Sequence, residues 1–514
     1  MTDAAPSSQP STAPRNTGRV VVVGATVAIL VVAGSAAFAW QKLSGNGTQP
    51  HDVLPSSVIA YARVDGDPSA SQKVKLLRLL KKSPALAEEL DLKDENQDLR
   101  MPVIESMFTD CDINYDKDIA PWIGNRFGAG LASNGKTGLL AVQVTDEKAA
   151  RKGLDLSAGC LGLSDPGVVF TKGYALVGEG QDATDKAAKD ADKSPLADKK
   201  EFVEDMEDLG DPGIVSIWVE AKGLGEAFAS QMGDDTGRQA LKDVRSAAAA
   251  LRAGDDNVEI TGINHANQDS GKVTAIDFAK LPADSLAVLS VSVGEDNFDD
   301  LWAGLSDGMD TMGSSSNYDH PGVNHDDFHS MLKEIEEQTG FVLPDDLKTL
   351  LGDNLTIVAG DRNLSTIDQF QGPADVEKFD FAVAMHSDTE KATALAHRIA
   401  NTVEQFTGIE LAVVETKDGA VLATNENFAK SFNDGKPLGD SDSFRSVIAE
   451  SDNAVGAFYF DIAKAILIAR ELDPPNEVKE VLDQVKDMRA LGFSANKAND
   501  RVTRGTLKLS FRQD

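Results

Sequence analysis

The run Val20 to Trp40 carries no charged residue and is dominated by Val, Ala, Ile and Leu. About 20 helical residues at a rise of about 1.5 Å match the roughly 30 Å hydrocarbon core of a bilayer. Arg15 and Arg19 lie before the run, and Trp40 stands where an interfacial aromatic belongs. The pattern predicts a transmembrane helix over 19–41, a disordered cytoplasmic tail over 1–18 and a polar linker over 42–50. The positive-inside rule then places everything after Lys42 outside the cytoplasm. The expectation is a single-pass cell-membrane protein whose N-terminal helix has the lipid bilayer as its partner. Ala37-Phe38-Ala39 also resembles a signal-peptide cleavage site, and cleavage there exports the remainder equally.

Beyond the linker the chain alternates strand-like and helix-like segments. Val58–Val64, Leu140–Val144, Ile214–Val219, Leu286–Val293, Phe379–Met385 and Ala457–Phe460 have strand character. Lys73–Lys82, Phe328–Gln338, Glu390–Phe406 and Val478–Leu491 have helical spacing.

Several of these segments recur in order. Leu54-Pro55-Ser56-Ser57 returns as Leu281-Pro282-Ala283-Asp284, and Trp122-Ile123-Gly124 returns as Leu350-Leu351-Gly352. Asp146-Glu147-Lys148-Ala149 is echoed by Asp388-Thr389-Glu390-Lys391-Ala392. Pro195-Leu196-Ala197-Asp198 with Phe202 matches Pro437-Leu438-Gly439-Asp440 with Phe444, and Trp218-Val219-Glu220 matches Tyr459-Phe460-Asp461. The separation drifts only from about 227 to about 242 residues, far beyond the length of a solenoid repeat. The predicted fold class is α+β: a transmembrane helix, then two tandem homologous α+β repeats over 51–280 and 281–514. The recurring residues are apolar strand positions, turn residues and helix-entry Asp, which determine a fold. A duplicated active site would duplicate a polar constellation instead.

Eighty-three acidic against 50 basic residues give a net charge of −33. Such a field repels phosphate backbones, so nucleic acid is excluded as a partner. Cys111 and Cys160 are the only two cysteines and allow one intramolecular pairing. In an exported chain they read as a disulfide, the alternative being two buried thiols.

The apolar segment followed by DVLPSSVIAYARVDGD, then DIAPWIGNRFGAGLA and LLAVQVTDEKAA, resembles the domain of unknown function 3352 family. Those are uncharacterised actinobacterial membrane-anchored envelope proteins. The resemblance implies the architecture above and no activity.

Other constellations were weighed against their chemistry. Lys136-Thr137-Gly138, Ser451-Asp452-Asn453 and Ser494-Ala495-Asn496-Lys497 are the short motifs of penicillin-recognising serine enzymes. Their order is reversed, and Ser494 does not open a helix as that mechanism requires. His320, His325, Asp326, Asp327 and His329 form a candidate transition-metal cluster, read more simply as a loop leading to a helix cap. Asp110, Asp112, Asn114 and Asp116 alternate like a calcium loop, but Tyr115 and Pro121 stand where the loop needs Gly and Glu. Gly128-Ala129-Gly130 reads as a strand, not a nucleotide loop. The basic helix Lys73–Lys82 is expected either to touch lipid or to pack Val74, Leu77 and Leu80 inward.

No catalytic, cofactor-binding or metal site is assigned, and no cofactor is expected. The functional expectation is a non-catalytic envelope scaffold or partner-binding module, with an envelope protein as partner. Alternative readings are an envelope hydrolase with an unrecognised site and a cation-binding ectodomain.

Overall fold

A computed structural model describes residues 47–66, 70–82, 113–157, 165–232, 236–269, 273–293, 298, 302, 332–334 and 336–512. They hold sixteen strands of antiparallel sheet with helices packed on it, and they divide into two compact units. The first unit takes Thr48–Arg63 and Arg100–Lys199; the second takes Val64–Leu99 and Lys200–Asp514.

The earlier half of the chain carries β1 (Val58–Asp65), α1 (Ala70–Lys82), β2 (Ile123–Ala132), β3 (Gly138–Val144), α2 (Glu147–Ser157), β4 (Pro166–Thr171), β5 (Tyr174–Glu179) and α3 (Gln181–Lys193). Then come α4 (Lys200–Leu209), β6 (Val215–Glu220), α5 (Ala221–Met232), α6 (Thr236–Ala240), β7 (Val244–Ala253) and β8 (Asn257–Ala266). The later half opens with β9 (Ser285–Val291), α7 (Asp345–Leu351), β10 (Asn354–Gly360), β11 (Phe381–His386), α8 (Thr389–Thr407), β12 (Ala412–Thr416) and β13 (Gly419–Ala423). It closes with α9 (Glu426–Asp434), α10 (Asp442–Val447), β14 (Ala454–Phe460), α11 (Ile462–Glu471), α12 (Asn476–Gln484), β15 (Met488–Asn499) and β16 (Val502–Phe511).

In the first unit the strands lie in the order β1-β2-β3-β5-β4. Helix α2 starts at Asp146, whose side chain accepts from the Ala149 amide and satisfies a free N–H of the first turn. It presses Ala150 and Leu154 onto Ala175 and Val177 beside Tyr115, Ile119 and Trp122. The Trp122 indole donates to the Asp118 carbonyl at 2.7 Å, so the buried ring keeps its polar edge satisfied.

The second unit runs β12-β13-β11-β10-β9-β14-β15-β16-β8-β7-β6. Asp388 caps α8 through the Lys391 amide, as Asp146 caps α2. One side of this sheet is closed by α4, α9 and α10. Phe202 of α4 meets Trp218 edge-on at 5.5 Å, and Phe428, Phe444 and Val447 pack with Val288, Val358, Ala457 and Tyr459.

The expectation of two tandem α+β domains is corrected. β8 and β16, which close the two halves, pair with each other over Asn257–His265 and Val502–Ser510, so backbone hydrogen bonds tie the halves into shared antiparallel sheet. The division into units falls at Lys199/Lys200, inside the earlier half, not near residue 280. Thr261 and Thr506 are each the fifth residue of their strand and lie opposite one another.

The transmembrane expectation is corrected too. No helix among the described residues is long and apolar enough to cross a membrane. The longest of them, α8, has 19 residues and is amphipathic, burying Ala392, Leu395, Ala396 and Ala400 while Glu390, Lys391 and Glu404 face out. Residues 19–41 lie outside the described residues, so no single-pass anchor or bilayer contact through them is carried further.

Candidate docking surface

Residues directly opposite in antiparallel strands share a face, so the register of the second unit can be read as rows. One row runs Val414, Val421, Ala384, Thr356, Ser290 and Ala457. It continues through Ser494, Thr506, Thr261, Ala250 and Ser216. This is the side covered by α4, α9 and α10, and every member except Val414 is buried.

The neighbouring row faces the other way. It runs Val413, Leu422, Val383, Ile357, Leu289 and Phe458. It continues through Phe493, Leu507, Ile260, Leu251 and Val215. Every member is a large hydrophobe, yet only Leu422 is buried. Between these two rows the usual pattern of an antiparallel sheet, apolar toward the cover and polar toward water, is reversed. The mostly small or hydroxyl-bearing residues of the first row meet the helices among larger ones such as Val288, Val358, Tyr459 and Trp218, and large apolar residues of the second row are left partly open.

Among the described residues, helices cover this second side at its two ends, and α5 and α11 lie against β6–β7 and β15. At one end α7 and α8 place Leu350, Ala392, Leu395 and Ala396 over Met385, Ala420 and Leu355. At the other, α1 sets Leu76 and Leu79 on Ala253, Val258 and Leu509. Leu289 and Val291 in the gap are each 48% exposed and Phe381 is 45% exposed.

A cleft of about 620 Å³ lies between α7, the start of α8 and the exit of β9. Val293, two residues beyond Val291, lines it together with Phe298. Lys348, Lys391 and Arg398 bring positive charge to its wall, and Asp345, Asp346, Asp353 and Asp388 bring negative charge. Arg398 is paired with Asp346, Asp388 is engaged in capping α8, and the Lys348 ammonium stands 5.8 Å over the Phe298 ring.

Under α4 lies a buried ion cluster that no short sequence pattern announces. Asp205 is fully buried; one oxygen accepts from the Trp218 indole at 2.6 Å and the other lies 2.6 Å from His265 Nδ1. His265 Nε2 is 3.1 Å from Asp208, and Arg245 and Arg504 each stand 3.5 Å from one of the two carboxylates. The Asp205 hydrogen bond raises the His265 pKa above its usual value, outweighing burial. The cluster holds α4 to β7, β8 and β16 mainly by charge, the Nε atoms of Arg245 and Arg504 being buried without a hydrogen-bond partner.

The other residues singled out from sequence fall as follows. Cys111, Cys160, Asp110, Asp112, His320, His325, Asp326, Asp327 and His329 lie outside the described residues. Asn114 caps the single helical turn Tyr115–Ile119 by accepting from the Lys117 amide. Lys136 and Thr137 form the β2–β3 turn around the Asn134 side chain. Ser494 sits mid-strand in β15 and donates to the Ala449 carbonyl, so it does not open a helix. Gly128, Ala129 and Gly130 belong to β2. On α1, Val74 is 55% exposed, against the expectation that it packs inward; Leu79 is the buried position.

In the sequence Leu289 and Val291 stand only as strand positions. The available signal was that Leu286, Ala287, Val288, Leu289 and Val291 place apolar groups on both sides of one strand, which a half-solvated strand does not do.

No family model matches the chain, and no curated protein matches it. Among solved structures, crystal form I of TP0453 is similar at TM-score 0.24 and 11% identity, covering 45% of this chain and 82% of that one. Crystal forms III and IV are similar at TM-score 0.23 and 9% identity, each covering 44% of this chain and 82% and 83% of theirs. At those scores the likeness carries no argument about this chain.

Proposed function

We propose that this chain is a non-catalytic binding module whose docking surface is the partly open apolar side of the second unit. The observation that carries the reading is one unbroken apolar row: eleven successive opposed positions are large hydrophobes, ten of them not fully buried. Apolar surface left in water is a standing cost of about 25 cal/mol per Å², and a contiguous patch of it marks a place where something docks. Burying the remaining exposed half of Leu289 alone stabilises a complex by about 1 kcal/mol.

The test is binding of a neutral apolar fluorophore, N-phenyl-1-naphthylamine, to the full chain and to Leu289→Glu. Position 289 is half exposed, so the variant is expected to keep the wild-type far-ultraviolet circular dichroism. The expected result is saturable binding that weakens at least tenfold in the variant. Equal affinity in the two proteins overturns the assignment of the face.

A further inference from the structure

Building on that reading, we propose that the occupant is a single-chain zwitterionic amphiphile, its acyl tail lying across the sheet at Leu289 and its head group in the cleft at Val293. Three observations select this chemistry over a protein partner.

The first is what the face lacks. Val383, Ile357, Leu289, Phe458, Phe493 and Leu507 offer hydrocarbon and phenyl surface with no polar handle. Protein interfaces are anchored by Tyr, Trp and Arg, whose polar ends fix the partner's orientation, and the row contains none of them. Non-directional packing suits a flexible hydrocarbon chain.

The second is that β9, β10, β14 and β15 are interior strands, each paired on both sides. Their backbone groups are already used in the sheet, so an extended peptide finds no edge to join.

The third is charge. The cleft begins just past the end of β9, the strand that carries Leu289 in the apolar row: Val293 is four residues beyond Leu289, about 14 Å along an extended chain. Its wall carries both signs. Among the described residues the Lys348 and Lys391 ammonium groups make no ion pair, which leaves them for a phosphate. Asp345 and Asp353 stand on the same wall for a quaternary ammonium. A head group with one charge of each sign fits such a wall better than a purely anionic one, which would face Asp345 and Asp353 with no positive group to offer them.

The experiment uses the full chain with Cys111→Ser, Cys160→Ser and Leu289→Cys, labelled by a maleimide. Labelling by the free protein establishes that the face is open; failure to label overturns the reading on which this proposal rests. Lysophosphatidylcholine below its micelle-forming concentration is expected to slow labelling at least tenfold. Glycerophosphocholine, which has the head alone, is expected to leave it unchanged. Lys348→Glu with Lys391→Glu is expected to weaken the lysophosphatidylcholine protection at least tenfold, whereas Lys186→Glu, remote in sequence and on α3, is not. Brisk labelling that lysophosphatidylcholine does not slow overturns the amphiphile while leaving the open face intact. Protection by phosphatidylcholine vesicles but not by the monomeric lysolipid also overturns it, in favour of a bilayer surface.

Discussion

His51 and His265 are pushed in opposite directions by their surroundings. His51 is buried against Tyr61, with its Nδ1 3.5 Å from the phenol oxygen. Burial lowers its pKa to about 4, outweighing the pull of Asp52, and Arg63 lowers it further. The unfolded chain therefore takes up this proton first, near pH 6.5, and the folded one only near pH 4. Stability from His51 is complete above pH 6.5 and is lost as the pH falls through that window, by roughly 3 kcal/mol. Urea denaturation at pH 7 and pH 4.5 is expected to show a smaller loss in His51→Gln than in the wild type.

His265 has the opposite sign: its raised pKa gives stability that is present below pH 6.5 and fades as the pH climbs through the folded value. Both of its ring nitrogens face carboxylates, which only the doubly protonated ring satisfies. Asp205 binds that imidazolium and the Trp218 indole from a fully buried position. Asp205→Asn leaves the imidazolium without its closest counter-charge. Thermal or urea unfolding is expected to record a loss of about 3 to 5 kcal/mol, larger than that of Asp208→Asn, whose carboxylate is 41% exposed.

At the scale of elements, the hairpin β12–β13 shows how a backbone position shapes the end of the partly open face. Gly419 has φ of 148°, and a Cβ there would run into the Met385 carbonyl oxygen. Gly419→Ala is expected to destabilise the fold by about 3 kcal/mol in chemical denaturation. Opposed Thr261 and Thr506 give a contrasting case. The Thr261 hydroxyl is fully buried and without a protein partner, so Thr261→Val, which keeps the shape, is expected to raise stability by about 1 kcal/mol.

Strands were legible where alternation or β-branching was strong, as in Val58–Val64. Val478–Leu491 misled because Val478, Val481, Leu482 and Val485 keep helical spacing up to the residues where β15 begins at Met488. No Gly or Pro punctuates the change. β7 was missed because Ala247 to Ala250 has helical propensity, which its two neighbouring strands override. The partly open apolar row was hidden for a different reason: when both sides of a strand are apolar, sequence gives no sign of which side the helices cover.

For the molecule as a whole, ordered matches between Leu54 and Leu281 or Trp218 and Tyr459 made a recurring element order visible. They could not reveal that β8 and β16 join, because backbone pairing leaves no residue-type signature beyond alternation. A net charge of −33 makes copies of such a chain repel one another, against the pull of a large apolar row that stays partly open. That tension gives a final prediction. A ligand that binds only the folded chain stabilises it by RT ln(1 + [L]/Kd), about 2.7 kcal/mol at one hundred times Kd. Saturating lysophosphatidylcholine is therefore expected to raise the unfolding midpoint of the wild type in scanning calorimetry. Leu289→Glu, with its carboxylate in the tail's path, is expected to show no such rise. An equal rise in both proteins would mean that the lipid stabilises some other surface, and the apolar row would then need a different occupant.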